Sequence, residues 1–421
     1  MYRVPWKRNW FFALFGSVRD FLVSIIFVRK LPPFLIKILY GIKPEFVFLV
    51  HARRSQDIFV GFPFLVPIRK LISKPAMMKI TRKLPPIVVG KIITKEKVNG
   101  LTIFSPLLPE QLAQSRRETL KQARRAVSFA CKISVPFSCI GLGAWWPIVT
   151  RRGLALKEFA KKRLSFVTNG HCATTLSIYF NVMKICKLCG INPENLRIAI
   201  IGGAGKVGKH LVEAFLGHVD TIGIIDVNKL KISRLMDRIG KPAFGNTKIN
   251  SYINSENLSL RDVFDKHHLA ICVTSNLARA IRSQDLPDNF IIIDDSRPEA
   301  ISRKVDSENK IVLEGGLFKI KDSIIDHDYG FGIDENVFGC LAEAYLLSCD
   351  THKKLKPTLG DIDMDNFLKM KEFSNEIGLV IGDFKSQDVY VSDEVIIEIM
   401  AKRVKYLGSH KCQKKTNKQN L

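Results

Sequence analysis

Gly203-Ala204-Gly205-Lys206-Val207-Gly208 is a G-x-G-x-x-G run, a spacing that can cradle a pyrophosphate. It follows the apolar stretch "LRIAII" and opens the amphipathic stretch "KHLVEAFLG". The first glycine permits a tight turn, the second lets the backbone approach the phosphates, and the third lets helix and strand pack closely. A helix starting there turns free N–H donors and its positive dipole end toward the anion. The next strand, "TIGIID", ends in Asp226, 18 residues past Gly208, where a carboxylate can accept from a ribose 2′-hydroxyl. Lys229 and Lys231 follow and would suit a 2′-phosphate, so NADH and NADPH both stay open.

A thiol is the second candidate. "IDENVFGCLAEAYLL" (333–347) reads as a polar cap, Asp334 or Asn336, leading into a helix apolar on most sides with Cys340 in its early turns. A cysteine on an apolar helix usually packs as a small hydrophobe. Near the free N–H groups of a helix start it can instead be a nucleophile. The segment alone favours packing. Substrate is expected beyond the carboxyl ends of the parallel strands. Those ends carry Thr274-Ser275, taken here with the cofactor, Asp294-Asp295-Ser296-Arg297, and Gly315-Gly316, taken with the substrate. Asp295 and Arg297 could equally pair with each other. "CKLC" (186–189) is a lone C-x-x-C, two ligands short of a structural zinc site, and is read as packing; no metal site is expected from it.

The elements that must position these groups alternate. From 196 onward, strands "LRIAII", "TIGIID", "LAICVTS", "FIIIDDS" and "KIVLEGG" are separated by helical or loop segments. That order implies an α/β chain with a Rossmann-like parallel sheet at 196–332. Residues 46–195 read as an N-terminal α/β substrate domain, with strands at "EFVFLVHAR", "IVVGKIIT" and "LTIFSPLL", a helix from about Pro109, and a glycine-containing loop from Gly141 to Ala144. C-terminal helices cover 333–405, and the basic tail 406–421 is expected to be disordered.

Charge is unevenly placed in the 421 residues. The net charge is +25, yet residues 1–170 hold 31 Lys and Arg against 7 Asp and Glu. Such a cationic module suits an acidic protein or anionic lipid. No zinc-finger spacing or aromatic nucleic-acid motif accompanies it, so nucleic acid is the weaker reading. "WFFALFGSVRDFLVSIIFV" (10–28) is long enough to cross a bilayer, but Arg19 and Asp20 fall at its centre, at about 2.5–3.5 kcal/mol each. It and "LPPFLIKILYG" are read as interfacial helices, with cover for a core or an oligomer interface as the alternative. The chain is expected to be cytoplasmic, with peripheral attachment to the inner membrane face.

The pieces "FSPLLPEQLAQSR", "IGLGAWWPIV", "VTNGHCATT", "AIIGGAGKVG", "IIIDDSRPE", "VLEGG", "FGCLAEAYLL" and "LGDIDMDNFLKMKEFSNEIGL" run in an order that resembles the long-chain acyl-(acyl-carrier-protein) reductase family of cyanobacteria. The resemblance covers about 46–384. It implies nicotinamide-dependent release of an acyl group as a fatty aldehyde, with Cys340 as nucleophile. It also implies NADPH as cofactor, Mg2+ as a candidate activator, and acyl carrier protein or coenzyme A as thioester carrier. Gly141, Gly143, Thr168 and Asn169 become substrate-side candidates. This chain departs from the pattern at Trp145-Trp146-Pro147, at Asn169-Gly170 in place of Gly-Asn, and at Asp226 in place of a basic residue. A dehydrogenase without covalent catalysis and a membrane-associated nucleotide-binding protein remain as alternatives.

Overall fold

The computed structural model describes residues 18–20, 22–23, 33–52, 55–62, 65–66, 72–239, 245–255, 257–274, 281–296, 299–301, 309–386 and 389–419. Two compact units form: residues 1–173 with 318–380, and residues 174–317 with 381–421.

In the first unit, strands β1 (Pro44–His51), β2 (Ile87–Ile93), β3 (Asn99–Ser105), β4 (Cys139–Leu142) and β5 (Phe166–Thr168) form one sheet. Its order is β2-β3-β1-β4-β5, with the short Ile324–Ile325 strand added antiparallel outside β2. β1 runs parallel to both β3 and β4, and β4 to β5. Phe46, Val47, Phe48 and Leu49 are all buried, so β1 reads as a continuous apolar run because both of its faces are covered. One helix expected from Pro109 is two, Pro109–Gln114 and Arg116–Ile133. Ser115 divides them, its hydroxyl accepting from the Glu118 N–H at 3.4 Å as an N-cap.

The second unit holds β6 (Arg197–Ile201), β7 (Thr221–Asp226), β8 (Lys248–Ile253), β9 (Leu269–Cys272), β10 (Phe290–Asp294) and β11 (Lys310–Glu314). The order is β11-β10-β9-β6-β7-β8, and every pairing is parallel. The expected α/β class and Rossmann-like sheet are therefore present. The order reverses between β6 and β9, which makes a crevice beyond their carboxyl ends. The long Asp393–Gln419 helix is fixed on this unit by Arg403, which is fully buried. Its guanidinium donates to the carbonyls of Phe264 (2.6 Å) and His267 (2.9 and 3.0 Å), and burial lowers its pKa to about 10.

Three expectations change. The segment carrying Cys340 belongs to the first unit and is not a separate C-terminal piece. The tail is helical to Gln419 and not disordered from 406, consistent with its freedom from proline and its content of Lys and Gln, good helix formers. Where the N-terminal extension is described, it covers a core: Val23, Tyr40 and Ile42 pack in the first unit's hydrophobic cluster, and Arg19 pairs with Asp20 at 2.9 Å. The remainder of 1–32 lies outside the described residues apart from 18–20 and 22.

His267 gives this fold an acid-sensitive point. It is buried, its Nδ1 lies 2.7 Å from the Val263 carbonyl, and burial is the main cause lowering its pKa from 6.5 to about 4. The neutral ring's contribution is intact above pH 6.5 and is lost as pH falls toward about 4. Urea unfolding at pH 7 and pH 5 should show wild type losing about 2 kcal/mol more than His267→Gln; equal losses would contradict this assignment.

Candidate functional site

The Asn336–Phe338 strand leads straight into the Gly339–Cys349 helix, with Phe338 as N-cap and no side-chain cap hydrogen bond. Asp334 and Asn336, expected as caps, are used earlier: the Asn336 N–H donates to Asp334 Oδ1 at 2.8 Å. Cys340 is thus the second residue of a helix whose N-cap, Phe338, makes no side-chain cap bond. Its backbone rests against Gly170. A Cβ at Gly170 would fall on the Cα and Cβ of Cys340, and Gly170 has a left-handed φ of +74°. Gly141 is similarly close, since a Cβ there would lie 3.0 Å from Ala344 Cβ and 3.5 Å from the Cys340 carbonyl oxygen. At Gly143 a Cβ would meet the Phe48 ring and the Leu49 carbonyl. Gly141 and Gly143, expected on the substrate side, let the helix and Phe48 come close to β4 and the turn after it.

Glu343 holds the helix start in register. It is fully buried on the apolar helix, one turn after Cys340. Oε1 accepts from the Thr358 N–H (3.1 Å) and from the Thr168 hydroxyl; Oε2 accepts from the Ala173 N–H (3.0 Å). Thr168 and Asn169 are equally engaged internally. Asn169 donates to the carbonyls of Arg152 and Gly360, both at 3.3 Å, and accepts from the His171 N–H at 3.0 Å. Both side chains brace the loop beneath Cys340, which is a positioning role where substrate contact was expected.

An aromatic group surrounds this helix start. Tyr329 lies edge-on to Phe338 (6.1 Å) and to Phe48 (6.1 Å), and Phe331 edge-on to Phe338 (4.9 Å). The Tyr329 hydroxyl lies 2.6 Å from Thr102 Oγ1. Burial raises its pKa, with smaller contributions in the same direction from Asp326 and then Cys340. The departure at Trp145-Trp146 is accommodated at the end of β1: the Trp145 N–H donates to His51 Nε2 at 3.1 Å, and Trp146 is fully buried.

Four described cysteines, Cys131, Cys189, Cys340 and Cys349, are half-buried, and of these Cys340 alone lies in the first turn of a helix. Burial pushes the thiols of Cys131, Cys139, Cys172, Cys186, Cys189, Cys272 and Cys349 upward, with Cys186 and Cys349 reaching about 12. Such thiols carry little thiolate at neutral pH. Cys340 is half-buried, at a helix start. Among the described residues no group of three or more His, Cys, Asp or Glu is arranged to hold a metal ion.

In the second unit the glycine run forms the expected strand–turn–helix. The N–H groups of Gly202 and Gly203 donate to the Ile225 carbonyl at 2.8 and 3.2 Å. The left-handed residue of the turn is Gly202 (φ +77°), one position before the run, where the tight turn was expected at Gly203. Gly203 is needed for closeness instead, since a Cβ there would lie 2.9 Å from the Ile200 carbonyl oxygen. Gly205 is the N-cap of the Lys206–Phe215 helix, again without a side-chain cap bond. A Cβ at Gly208 would overlap the Gly202 carbonyl, as expected of a helix packed tightly on its strand. Ala204 is buried, Val207 half-buried, and Lys206 exposed on the first turn.

The turn lies against Val273-Thr274, a Gly202 Cβ being 3.2 Å from Thr274 Cα. Asp226 is buried at the end of β7, Oδ1 accepting from the Asn228 N–H at 3.0 Å. Gly315 and Gly316 fold around Asp295, and a Gly316 Cβ would also come within 3.3 Å of Ser177 Oγ. Thus Gly203, Gly205, Thr274 and Asp226 gather at the carboxyl ends of β6, β7 and β9, with Gly315-Gly316 beyond β11. Ser275 and Arg297 lie outside the described residues. A dinucleotide fits this arrangement, because an uncapped helix start, close backbone approach and a strand-end carboxylate are what its phosphates and ribose require. Sequence reasoning missed Glu343, Gly170 and Tyr329; the one available signal was a lone carboxylate inside the apolar run "CLAEAYLL".

No family model matches the chain. It is 22% identical over 306 residues to aminotransferase PigE of Serratia sp. (strain ATCC 39006), covering 71% of this chain and 34% of that protein, so it spans about a third of that relative's length. Among solved structures it is similar to L-tryptophan dehydrogenase from Nostoc punctiforme, with 11% identity and a TM-score of 0.35 over 86% of this chain and 88% of that one. It is also similar to shikimate 5-dehydrogenase from Listeria monocytogenes in complex with shikimate and NAD, with 9% identity and a TM-score of 0.33 over 78% and 96%.

Glu343→Gln would turn an amide N–H2 toward one of three inward-pointing donors. The substitution should lower unfolding free energy by about 1–3 kcal/mol in denaturant titration. A change within error would mean that the three bonds do not fix the helix.

Proposed function

We propose that the chain is a nicotinamide-dependent reductase that takes a long-chain acyl thioester, on acyl carrier protein or coenzyme A, to a fatty aldehyde through an acyl-cysteine. The observation that carries the reading is the position of Cys340: half-buried, and second in a helix whose N-cap, Phe338, makes no side-chain cap bond. The collinear resemblance to the acyl-(acyl-carrier-protein) reductases supports it, as does the glycine turn. The named activity of the Serratia relative is chemically adjacent, since transamination consumes a carbonyl compound of the kind proposed as product.

In this mechanism the Cys340 thiolate attacks the thioester carbonyl and the carrier leaves as its thiol. The first-turn N–H groups stabilise the thiolate and then the oxyanion that forms on the acyl oxygen. The cluster of Phe48, Tyr329, Phe331 and Phe338 excludes water that would otherwise hydrolyse the acyl-cysteine. Gly203, Gly205 and the Lys206–Phe215 helix start would hold the pyrophosphate, and Asp226 the ribose of NADH. When bound, reduced nicotinamide supplies the hydride that brings the acyl group to the aldehyde level. Cys340 departs as thiolate when the aldehyde is released.

Cys340→Ser should lower aldehyde formation from a palmitoyl thioester by on the order of 1,000-fold while reduced-nicotinamide binding stays as in wild type. Full activity in this variant would leave a dehydrogenase without covalent catalysis. Asp226→Ser should shift the ratio of NADH to NADPH affinity about tenfold toward NADPH in a fluorescence titration. An unchanged ratio would remove Asp226 from the ribose.

A further inference from the structure

Phe137 and Leu164 are 72% and 55% exposed, and they occupy neighbouring turns. Each lies two residues before a strand, Phe137 before β4 and Leu164 before β5, and those strands begin side by side at the Cys139–Phe166 pair. The Phe137 N–H donates to the Leu164 carbonyl, so the two turns are joined through their backbones. Both residues have left-handed φ values, +63° and +55°, a conformation in which a large side chain is uncommon.

A rigid platform lies beneath them. Ser134 Oγ donates to the Ala130 carbonyl at 2.8 Å and lies 2.7 Å from Ser138 Oγ, which lies 3.3 Å from Ser165 Oγ; all three serines are buried. The Val135 N–H donates to the Pro44 carbonyl at 3.0 Å, and the Phe166 N–H to the Ser138 carbonyl at 3.2 Å. The apolar tips are therefore held outward by a fixed base.

Exposed cations flank them: Lys161, Lys162 and Arg163 run directly into Leu164. Among the described residues these three make no ion pair. Arg163 instead stacks on Phe159, 3.7 Å from the ring centroid. Within this unit the tips stand at the amino ends of β4 and β5, whereas Cys340 stands near Gly141 and Gly170, at the carboxyl ends.

We infer that Phe137 and Leu164 form a wedge that inserts into an anionic lipid surface, with Lys161, Lys162 and Arg163 meeting the headgroups. Two side chains are far less than the roughly 800 Å² per partner of a stable protein interface. Partial insertion of apolar tips beside cations is enough for reversible binding to anionic lipid. This inference is independent of the proposed chemistry, because it rests on turns at the other end of the strands.

The test is sedimentation of the full chain with phosphatidylcholine vesicles, with and without phosphatidylglycerol. Wild type should bind the anionic vesicles. Phe137→Asn with Leu164→Asn, where asparagine tolerates the left-handed backbone, should lower the partition constant about tenfold or more. Leu368→Asn, at a position 54% exposed elsewhere, should leave it unchanged. Phe137→Trp should retain binding, and its added emission relative to wild type should shift blue on vesicles. Absence of binding by wild type, undiminished binding by the double variant, or no added blue shift would each overturn the wedge. Loss of self-association or of acidic-protein capture in the double variant, with vesicle binding intact, would assign the tips to a protein and overturn it as well.

Discussion

The start of the Gly339–Cys349 helix can lie where it does only because Gly170 has no side chain. Any Cβ there would lie well inside van der Waals distance of the Cys340 Cα, and the left-handed φ of Gly170 disfavours other residues as well. Glu343 then makes the approach directional. A buried carboxylate without partners would be strongly unfavourable, so its three donors, from Thr168, Ala173 and Thr358, must all be present for the helix to seat. One steric permission and one buried polar network thus place a thiol at an uncapped helix start.

The second unit repeats the same logic with different residues. Gly208 lets the helix press onto the Gly202 carbonyl, and the turn is tied to the end of β7 through the Ile225 carbonyl. There the outcome is a helix start behind a glycine N-cap rather than a positioned side chain. In both units a helix starts behind an N-cap that makes no side-chain cap bond, an arrangement suited to an anion.

Much of this was legible from the amino-acid sequence. Strands β6, β7, β9, β10 and β11 are short apolar runs bounded by turn residues, and the glycine run with its following carboxylate carries its own mechanism. Less legible were features that exist only across the fold. Thr168 and Asn169 have the residue types of a substrate loop, yet their hydrogen-bonding capacity is taken up by Arg152 and, far away in sequence, by Glu343 and Gly360. The helix cap was misplaced because Asp334 and Asn336 bond each other before the helix begins. Arg19 and Asp20, costly in a bilayer, are reconciled by pairing together while Val23 and Tyr40 pack on the first sheet.

The central claim is that the Cys340 sulfur attacks an acyl thioester. It is tested most directly by peptide mass spectrometry after incubating the protein with palmitoyl thioester and no nicotinamide. The account predicts a palmitoyl mass on the peptide containing Cys340, removed by hydroxylamine. An unmodified Cys340 peptide, or the acyl group on another cysteine, would contradict it.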